Sequence, residues 1–371
     1  MITDRQLAAI ALAHLLKKPY IETFTTIVEQ YGTLEEALSA LPDTTGNRTA
    51  ENKRPVGITA ERRKEALRLA QREAEFMERE NITPLLYTDA GYPKLLRECD
   101  DAPAIIYRRG NADLNSPHII SIVGTRHATP YGKEFCEHLV ADLAKSLPDI
   151  IICSGLAYGI DICAHRTALD RGIATVAVLG HPLDTVYPST HASTARKIEE
   201  HGALITEYTS DRPIQKMNFV ARNRIVAGMS HATIVIESGE KGGSLITADM
   251  AAGYDREVFA LPGDIHAERS KGCNELIKKN KAALITSASD ITDAMHWETQ
   301  SAPQNRNLFT ETELNENEAA IMTLFDTRRE YTTDEIAELC NLPVSTAIST
   351  LMGLEFIGLI KSYPGNRYRK F

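Results

Sequence analysis

His118-Ile-Ile-Ser-Ile-Val-Gly-Thr-Arg126 is the stretch of sequence that decides the fold. Its apolar, β-branched run ends at Gly124, a hydroxyl and a guanidinium follow, and a helical pattern begins after Thr129-Pro130. This order predicts a buried strand, a tight turn and the N-terminus of a helix. Backbone N–H groups and the positive end of the helix dipole meet at such a turn, so it is suited to bind an anion.

Apolar segments of this kind recur along the chain and alternate with helical segments. The predicted strands are 119–123, 150–153, 174–179, 203–207, 233–237, 257–260 and 283–285. Strands that are apolar along their whole length are typical of a parallel sheet covered on both faces. Right-handed crossovers then give an α/β fold, an extended Rossmann-like doubly wound parallel sheet. Its ligand crevice is expected at the carboxyl ends of the strands.

Helical patterns precede this sheet region. Residues 1–80 are predicted to form an N-terminal helical module (SAM/helix-hairpin-helix-like) that contains a polar loop over 43–57. Residues 81–298 are predicted to form the Rossmann-like domain, and 299–317 a linker. Short extended pieces are expected at 92–93, 95–96 and 104–107.

The last part of the chain, residues 318–371, has the pattern of a winged helix, with three helical segments followed by a basic hairpin. Thr333 is the expected N-cap of the middle helix. The third helix carries no Lys or Arg over 344–350. Helices that read a DNA groove are normally basic, so a protein-contact or weak accessory role is favoured.

The composition is that of an ordinary globular protein, with 43% hydrophobic and 25% charged residues and a formal charge of -9. Residues 212–236 nevertheless hold four basic residues and no acidic one, which allows a basic cleft in an acidic protein. The first residues are not a signal peptide and no apolar run is long enough to cross a bilayer, so a cytoplasmic location without a membrane partner is expected. The six cysteines form no Cys-x-x-Cys pair, so neither a disulfide framework nor a metal site is expected.

The signatures of common nucleotide-binding enzymes are missing. The chain has no G-x-x-x-x-G-K-[ST] segment, and no G-x-G-x-x-G follows the first predicted strand. From the residues alone, the sequence predicts an α/β phosphate-binding domain and indicates no cofactor.

A succession of motifs resembles the DNA-processing protein A (DprA/Smf) family. Over about 170 residues the motifs occur in the family's order: Ile122-Val-Gly-Thr-Arg126, Ser154-Gly-Leu-Ala-Tyr-Gly-Ile-Asp161, Val178-Leu-Gly180, Arg222-Asn-Arg-Ile-Val-Ala-Gly228, Gly243-Ser-Leu-Ile-Thr-Ala248 and Leu261-Pro-Gly263. The resemblance implies a single-stranded-DNA-binding protein, generally a homodimer, that protects incoming DNA and helps load the RecA recombinase in natural transformation.

A strand-binding protein needs phosphate contacts and a surface for the bases. Arg126 offers a fork of donors to a phosphate, and Thr125 offers a hydroxyl. Lys216 and Phe219 match the family's strand-binding Lys and Phe in spacing. The candidate DNA-binding residues are Gly124, Thr125, Arg126, Ser154, Gly155, Lys216, Phe219, Arg222, Asn223, Arg224, Gly243 and Ser244.

Several of these residues also have a purely structural interpretation. Ser154 and Gly155 can serve turn geometry alone, and an aromatic residue such as Phe219 before a helix is often part of a core. Arg222 and Arg224 are two residues apart, so on a helix they face different ways and at least one is expected to be structural.

Three further residues stand near this predicted crevice. Asp161 and His165 are four apart and can pair on one helix face, more in keeping with a structural than a catalytic role. Glu237 either braces an arginine or lines the crevice. The sequence departs from the family pattern at Gly242, where a serine is usual, and at His181-Pro182, where a small residue is more frequent.

We interpret the chain as a non-enzymatic recombination mediator that binds its strand electrostatically, with little sequence preference. The alternative enzyme is a nucleoside-monophosphate phosphoribohydrolase of the related lysine-decarboxylase-like proteins, whose Pro-Gly-Gly-x-Gly-Thr-x-x-Glu segment is absent here. A third alternative is a transcription regulator that acts through the winged helix.

Overall fold

The computed structural model describes residues 2–41, 58–299, 315–325, 330–356, 359–363 and 365–370. The chain separates into two compact units, Met1–Ser301 and Ala302–Phe371. The predicted loop over 43–57 and most of the predicted linker over 299–317 lie outside the described residues. The predicted domain boundaries at 80 and 298 stay predictions.

A nine-stranded sheet forms the centre of the described part of the first unit, in the order β1-β2-β6-β5-β4-β3-β7-β8-β9. The strands are β1 (Thr83–Leu86), β2 (Ile105–Gly110), β3 (Ile119–Gly124), β4 (Ile151–Ser154), β5 (Thr175–Val178), β6 (Ala203–Thr206), β7 (Ala232–Ile236), β8 (Glu257–Ala260) and β9 (Ala283–Leu284). The strands from β3 to β9 pair in parallel, whereas β1 pairs with β2 and β2 with β6 in antiparallel fashion. The predicted Rossmann-like, mostly parallel sheet is therefore confirmed.

Helices cover this sheet and precede it. They are α1 (Asp4–Leu15), α2 (Ile21–Tyr31), α3 (Leu34–Ala40), α4 (Ala60–Arg79), α5 (Lys94–Arg97), α6 (Pro130–Ser146), α7 (Ile160–Asp170), α8 (Ala192–His201), α9 (Lys216–Ala221), α10 (Asn223–Gly228), α11 (Gly243–Gly253), α12 (Lys271–Lys278) and α13 (Ala288–Ala294). The extended piece expected at 95–96 is wrong, because Leu95 and Leu96 lie in α5. Pro93 is the N-cap of that helix, a place where a missing N–H costs nothing.

Among the described residues, no helix has both the length and the apolarity to span a bilayer.

The alternation of side chains along β3 explains how one strand serves two cores. Ile119 and Val123 pack into the cluster on one face of the sheet, and Ile120 and Ile122 pack into the cluster on the other face. Ser121 lies on the first face, where its Oγ donates a 2.7 Å hydrogen bond to the carbonyl of Val226. A strand that is buried on both faces has to be apolar throughout, and so its sequence predicted it well.

The order of the strands places a crevice at the end of β3. From β3 the chain adds β4, β5 and β6 on one side of the sheet, and then returns to add β7, β8 and β9 on the other side. The strand order therefore reverses between β3 and β7, and ligands of open α/β sheets bind at this switch point.

The second unit contains α14 (Glu316–Leu324), β10 (Tyr331–Thr332), α15 (Thr333–Leu339), α16 (Val344–Phe356), β11 (Ile360–Tyr363) and β12 (Arg367–Lys370). Its three strands pair in the order β10-β12-β11, so the predicted terminal hairpin is present. The N-cap of α15 is Thr332 and not Thr333, as a capping box between Thr332 and Glu335 shows. The N-cap lies one residue before the predicted position because the carboxylate of Glu335, three residues after Thr332, accepts a hydrogen bond from the backbone N–H of Thr332.

Candidate nucleic-acid interface

The turn after β3 is packed too tightly for a side chain. A Cβ on Gly124 would lie 2.0 Å from the carbonyl oxygen of Ile236 and 2.6 Å from Cγ1 of Ile160. The next backbone N–H, that of Thr125, donates a 2.8 Å hydrogen bond to the carbonyl of Glu237. The turn is thus held against the carboxyl end of β7, and Arg126 follows it with an exposed side chain.

The N-terminus of α6 already has an anion from within the protein. The carboxylate of Glu237 accepts a 2.8 Å hydrogen bond from the backbone N–H of Thr129 and another from the hydroxyl of Thr129. The Thr129 hydroxyl also caps the helix by accepting from the N–H of Gly132 at 3.3 Å. Glu237 therefore braces the helix cap and not an arginine. Because its carboxylate already occupies the positive end of the helix dipole, the charge that this turn offers to an external phosphate is that of Arg126.

The turn after β4 packs directly on the turn after β3. Gly159 has a φ of 79°, and a Cβ there would lie 2.1 Å from the carbonyl oxygen of Thr125. Asp161 closes the same turn, since its Oδ2 accepts hydrogen bonds from the N–H groups of Gly155 at 3.2 Å and Ala157 at 3.4 Å. Burial raises the pKa of Asp161, and the positive charges of Arg222 and Arg126 oppose that rise. The pairing of Asp161 with His165 that their spacing allows does not form, because the imidazole Nδ1 lies 2.7 Å from the hydroxyl of Thr175 instead.

Arg222 points into the protein. Its Nη1 donates a 2.8 Å hydrogen bond to the carbonyl of Gly155 and a second bond to the carbonyl of Val178. The guanidinium thus joins the carboxyl ends of β4 and β5 to the junction of α9 and α10. Burial lowers the pKa of Arg222, while the charge of Asp161 raises it.

Three more of the predicted residues have buried side chains with partners inside the protein. The Oγ of Ser154 donates to the carbonyl of Ile122 at 2.6 Å, and the Oγ of Ser244 donates to that of Ser238 at 2.9 Å. Nη2 of Arg224 donates to Oε2 of Glu207 at 2.7 Å. The structure therefore gives both arginines, and not only one of them, an inward structural contact.

Helix α9 carries the other predicted contact residues across the end of β5. A Cβ on Gly180 would lie 2.9 Å from Cα of Phe219, so the glycine is what lets the helix approach the strand. The half-buried Phe219 ring lies 5.4 Å from the ring of Tyr187. Lys216 stands one turn earlier on the same helix and is exposed.

The structure therefore brings the predicted surface residues to one edge of the sheet. The Gly124-Thr125-Arg126 turn follows β3, Gly155 follows β4, and α9 with Lys216 and Phe219 lies over the end of β5. Asn223 is half-buried beside Arg222, whose Nε donates to its Oδ1 at 3.3 Å. Gly243 is exposed on the other side of the switch point, where it begins α11 after β7.

Sequence reasoning missed two exposed aromatic rings at this edge. Tyr158 lies in the turn after β4 and Tyr187 in the segment after β5, and their exposed fractions are 46% and 53%. Tyr158 packs edge-on against the ring of His191, with 4.9 Å between the ring centroids. The signal available in the sequence was a tyrosine in each of these two segments, which both contain glycine and follow a predicted strand. With Phe219, these tyrosines give the edge three rings on which bases can stack.

A metal would require ligands that the described residues do not assemble. In the described part of the chain, no three His, Cys, Asp or Glu side chains come together in a way that could hold a metal ion.

Comparison with known proteins identifies relatives of this chain. The family model for DNA recombination-mediator protein A matches residues 83–296. Protein Smf of Escherichia coli K12 is 34% identical over 289 residues, which are 75% of this chain and 75% of that protein. The crystal structure of DNA processing protein A (DprA) from Streptococcus pneumoniae superposes with a TM-score of 0.64 at 28% identity, covering 79% of this chain and 98% of the other. A structure of DNA processing protein A from Helicobacter pylori, which concerns its single-stranded DNA binding mode, gives a TM-score of 0.52 at 31% identity and covers 58% of this chain and 95% of the other.

Proposed function

Because this chain belongs to the DNA recombination-mediator protein A family, we propose that it binds single-stranded DNA along the carboxyl edge of its sheet. One observation carries the proposal: two exposed cations, Arg126 and Lys216, share that edge with the rings of Tyr158, Tyr187 and Phe219. Cations that hold phosphates, together with rings on which bases stack, make a binding surface for a single strand of any sequence.

Binding without catalysis is the second part of the proposal. Asp161 and Glu237 are the buried acids at the ends of β4 and β7, and both accept backbone hydrogen bonds that hold turns in place. A carboxylate used in this way is poorly placed to take a proton from a substrate. The alternative, a phosphoribohydrolase, requires release of free base from nucleoside monophosphates, and we expect none.

Membership of the family also supports a proposal for the role in the cell. We infer that the protein protects incoming DNA, loads the RecA recombinase during natural transformation, acts in the cytoplasm and forms a homodimer through its sheet domain. Exposed apolar side chains beyond the switch point support a protein contact there: Ile246 in α11, Ile265 after β8 and Leu284 in β9.

The flanking parts receive finer assignments within the same proposal. We assign α1–α4 to a SAM/helix-hairpin-helix-like module and the second unit to a winged helix. A protein contact suits the latter better than a DNA groove, because α16 has no basic residue and exposes Val344, Ile348 and Met352 at a spacing of four residues. Residues at that spacing form one apolar stripe on a helix.

A binding titration tests the proposed function. Fluorescence anisotropy of a labelled single-stranded oligonucleotide is measured with the unaltered protein, Arg126→Ala, Lys216→Ala and the control Lys145→Ala, which removes an exposed lysine from α6. We expect each of the first two changes to weaken binding about fivefold or more and the control to leave it unaltered, since each charge-assisted phosphate contact contributes roughly 1 kcal/mol or more. Equal affinity of all four proteins would overturn the proposal.

A further inference from the structure

A second cleft, of about 1090 Å³, lies within the first unit and is lined on one side by Asn218 and Ala221 of α9. It is lined by the end of α1, by α2, by the segment from β6 to α9 and by Arg224 of α10. Pockets for small-molecule ligands usually measure about 300–1,000 Å³, so this cleft has room for a nucleotide.

Four side chains that line the cleft each have a buried polar atom that has no hydrogen-bond partner among the described residues. These atoms are Nε2 of His14, the hydroxyl of Tyr107, Oε1 of Glu207 and Nη1 of Arg224. The residues Tyr107 and Arg224 are only 2% and 4% exposed. A buried polar group without a partner destabilises a protein, so four such groups around one cleft indicate a place for a polar ligand.

The unpaired atoms of Arg224 and Glu207 belong to two side chains that are hydrogen-bonded to each other. Nη2 of Arg224 already donates to Oε2 of Glu207 at 2.7 Å, which leaves the Nη1 donor and the Oε1 acceptor of the same pair. A neighbouring acceptor and donor are what the Watson–Crick edge of a nucleobase presents in return.

The walls and mouth of the cleft fit the rest of a nucleotide. The rings of Tyr20 and Tyr208 line it, and Cζ of Arg224 lies 5.4 Å from the centroid of the Tyr20 ring. Exposed Lys17, Lys18 and Arg212 line it as well and supply positive charge for a phosphate.

Helix α9 connects this cleft with the proposed strand-binding edge. Lys216 and Phe219 lie on one side of the helix, whereas Asn218 and Ala221 line the cleft on the other side. The helix has six residues and is therefore only about 9 Å long, so a strand that crosses it reaches both sides.

We propose that this cleft is a nucleotide pocket, which takes a base between Tyr20, Tyr208, the hydroxyl of Tyr107 and the Arg224–Glu207 pair. Its phosphate lies at Lys17, Lys18 and Arg212. The nucleotide is either one unit of the bound strand or a free mononucleotide. The first source rests on the proposed function, and the second does not.

The test removes a single hydroxyl. Tyr107→Phe takes away the unpaired buried OH, whereas the control Tyr92→Phe takes away a buried OH that donates to the carbonyl of Pro103 at 2.6 Å. Each full-length protein is titrated with an oligonucleotide and with dAMP, dCMP, dGMP and TMP, and its free energy of unfolding is measured in urea.

For Tyr107→Phe we expect nucleotide binding to weaken five- to tenfold while the free energy of unfolding stays equal or rises. If the hydroxyl had a purely structural role, its removal would leave nucleotide binding unaltered and would lower the free energy of unfolding. Weaker binding of the oligonucleotide identifies the strand as the source, and weaker binding of a mononucleotide alone identifies a free nucleotide.

Unaltered affinity for every probe would overturn the pocket. Arg126→Ala, tested alongside, separates this failure from that of the proposed function, because it reports on the sheet edge alone. A second pair of variants, Lys17→Ala with Lys18→Ala against Lys145→Ala with Lys197→Ala, keeps the test valid if Tyr107→Phe does not fold. Loss of binding only in the first pair supports the pocket, and equal binding in both pairs contradicts it.

Discussion

Gly124 is the residue on which the geometry of the sheet edge depends most directly. Its partner in the parallel ladder is Ile236, so the backbone cannot retreat from a new methyl group. We expect Gly124→Ala to lower the free energy of unfolding by about 3 kcal/mol, the upper range for an overpacked core. Urea denaturation followed by circular dichroism measures this change.

Gly243→Ala is the matched control for that substitution. Gly243 is the first residue of α11, and a Cβ there would meet nothing within 4 Å. Alanine in place of glycine in a helix is neutral or stabilises it by up to about 1 kcal/mol. If both variants lost the same stability, tight packing at Gly124 would not be the cause.

His165 gives the fold a sensitivity to acid. Burial lowers the pKa of its imidazole from 6.5 to about 3, so the folded protein keeps the ring neutral while the unfolded chain takes up a proton below pH 6.5. The stability contribution is complete above pH 6.5 and is lost as the pH falls towards 3. At pH 5 the loss is about 2 kcal/mol.

Replacement of the ring tests this linkage. In His165→Asn the side-chain amide can hydrogen-bond to the hydroxyl of Thr175, which lies 2.7 Å from Nδ1 of His165, but it does not titrate. The difference between the free energies of unfolding at pH 7 and pH 5 should therefore shrink by about 2 kcal/mol in the variant. An unaltered difference would show that His165 is already protonated in the folded state.

The strands were the elements that the sequence predicted best. All seven predicted parallel strands are present, and no end differs from its predicted position by more than one residue. They are apolar throughout because both faces are buried, and that property is visible in a single sequence. The antiparallel strand β1, which extends the sheet beyond β2, was not predicted, since 83–86 begins with Thr83-Pro84 and is too short for a clear alternation.

The direction of side chains at the edge could not be predicted in the same way. Arg222 and Lys216 both lie in a segment free of acidic residues, yet Arg222 turns inward to the carbonyls of Gly155 and Val178, and Lys216 stays in solvent. Those carbonyls lie at the carboxyl ends of β4 and β5, 67 and 44 residues away in the chain. Only the folded sheet brings them to the start of α10, so the sequence shows the charge but not the partner.

Helix α9 contributes its ring to the proposed strand site, and this leads to a third prediction. Phe219→Leu keeps an apolar side chain above Gly180 but removes the surface on which a base stacks. Loss of one stacked base is worth roughly 1–3 kcal/mol, so we expect affinity for a single-stranded oligonucleotide to fall about tenfold with little change in stability. Fluorescence anisotropy gives the affinity.

The neighbouring residue provides the comparison for that experiment. Val220 follows Phe219 on α9 and is 45% exposed, and we assign it no contact with a base. Val220→Ala should therefore bind as the unaltered protein does. Equal weakening by both substitutions would mean that α9 as a whole, and not the ring, had been disturbed.

For the molecule as a whole, the charge balance makes the salt dependence informative. The chain has a formal charge of -9, so net attraction to a polyanion must come from local cations at the edge. If Arg126 and Lys216 each neutralise one phosphate, the logarithm of the binding constant falls by about 0.7 per phosphate for each tenfold rise in salt. Between 50 and 200 mM salt, affinity should drop about sevenfold.

Arg126→Ala should reduce that slope by about 0.7, because one phosphate contact is lost. Oligonucleotide titrations at four salt concentrations give the slope for both proteins. Binding of the unaltered protein that is indifferent to salt would contradict an electrostatic mode.

The division of the chain into two units leads to the last prediction. The apolar clusters of the first unit and the cluster around Ile321, Ile336 and Leu351 in the second are separate, so each unit has a core of its own. Every residue assigned to the strand-binding edge belongs to the first unit. A chain that ends at residue 301 should therefore bind an oligonucleotide within about twofold of the full protein, since it keeps every phosphate and stacking contact.

The same shortened chain separates binding from the proposed protein contact. If α16 contacts a protein through Val344, Ile348 and Met352, the shortened chain keeps its strand affinity while it loses that contact. The triple change of these residues to serine in the full chain should reproduce the loss, which pull-down with purified recombinase and analytical ultracentrifugation would measure. A large fall in strand affinity on removal of the second unit would instead place a DNA contact on that unit, because the edge of the sheet is unaltered by the truncation.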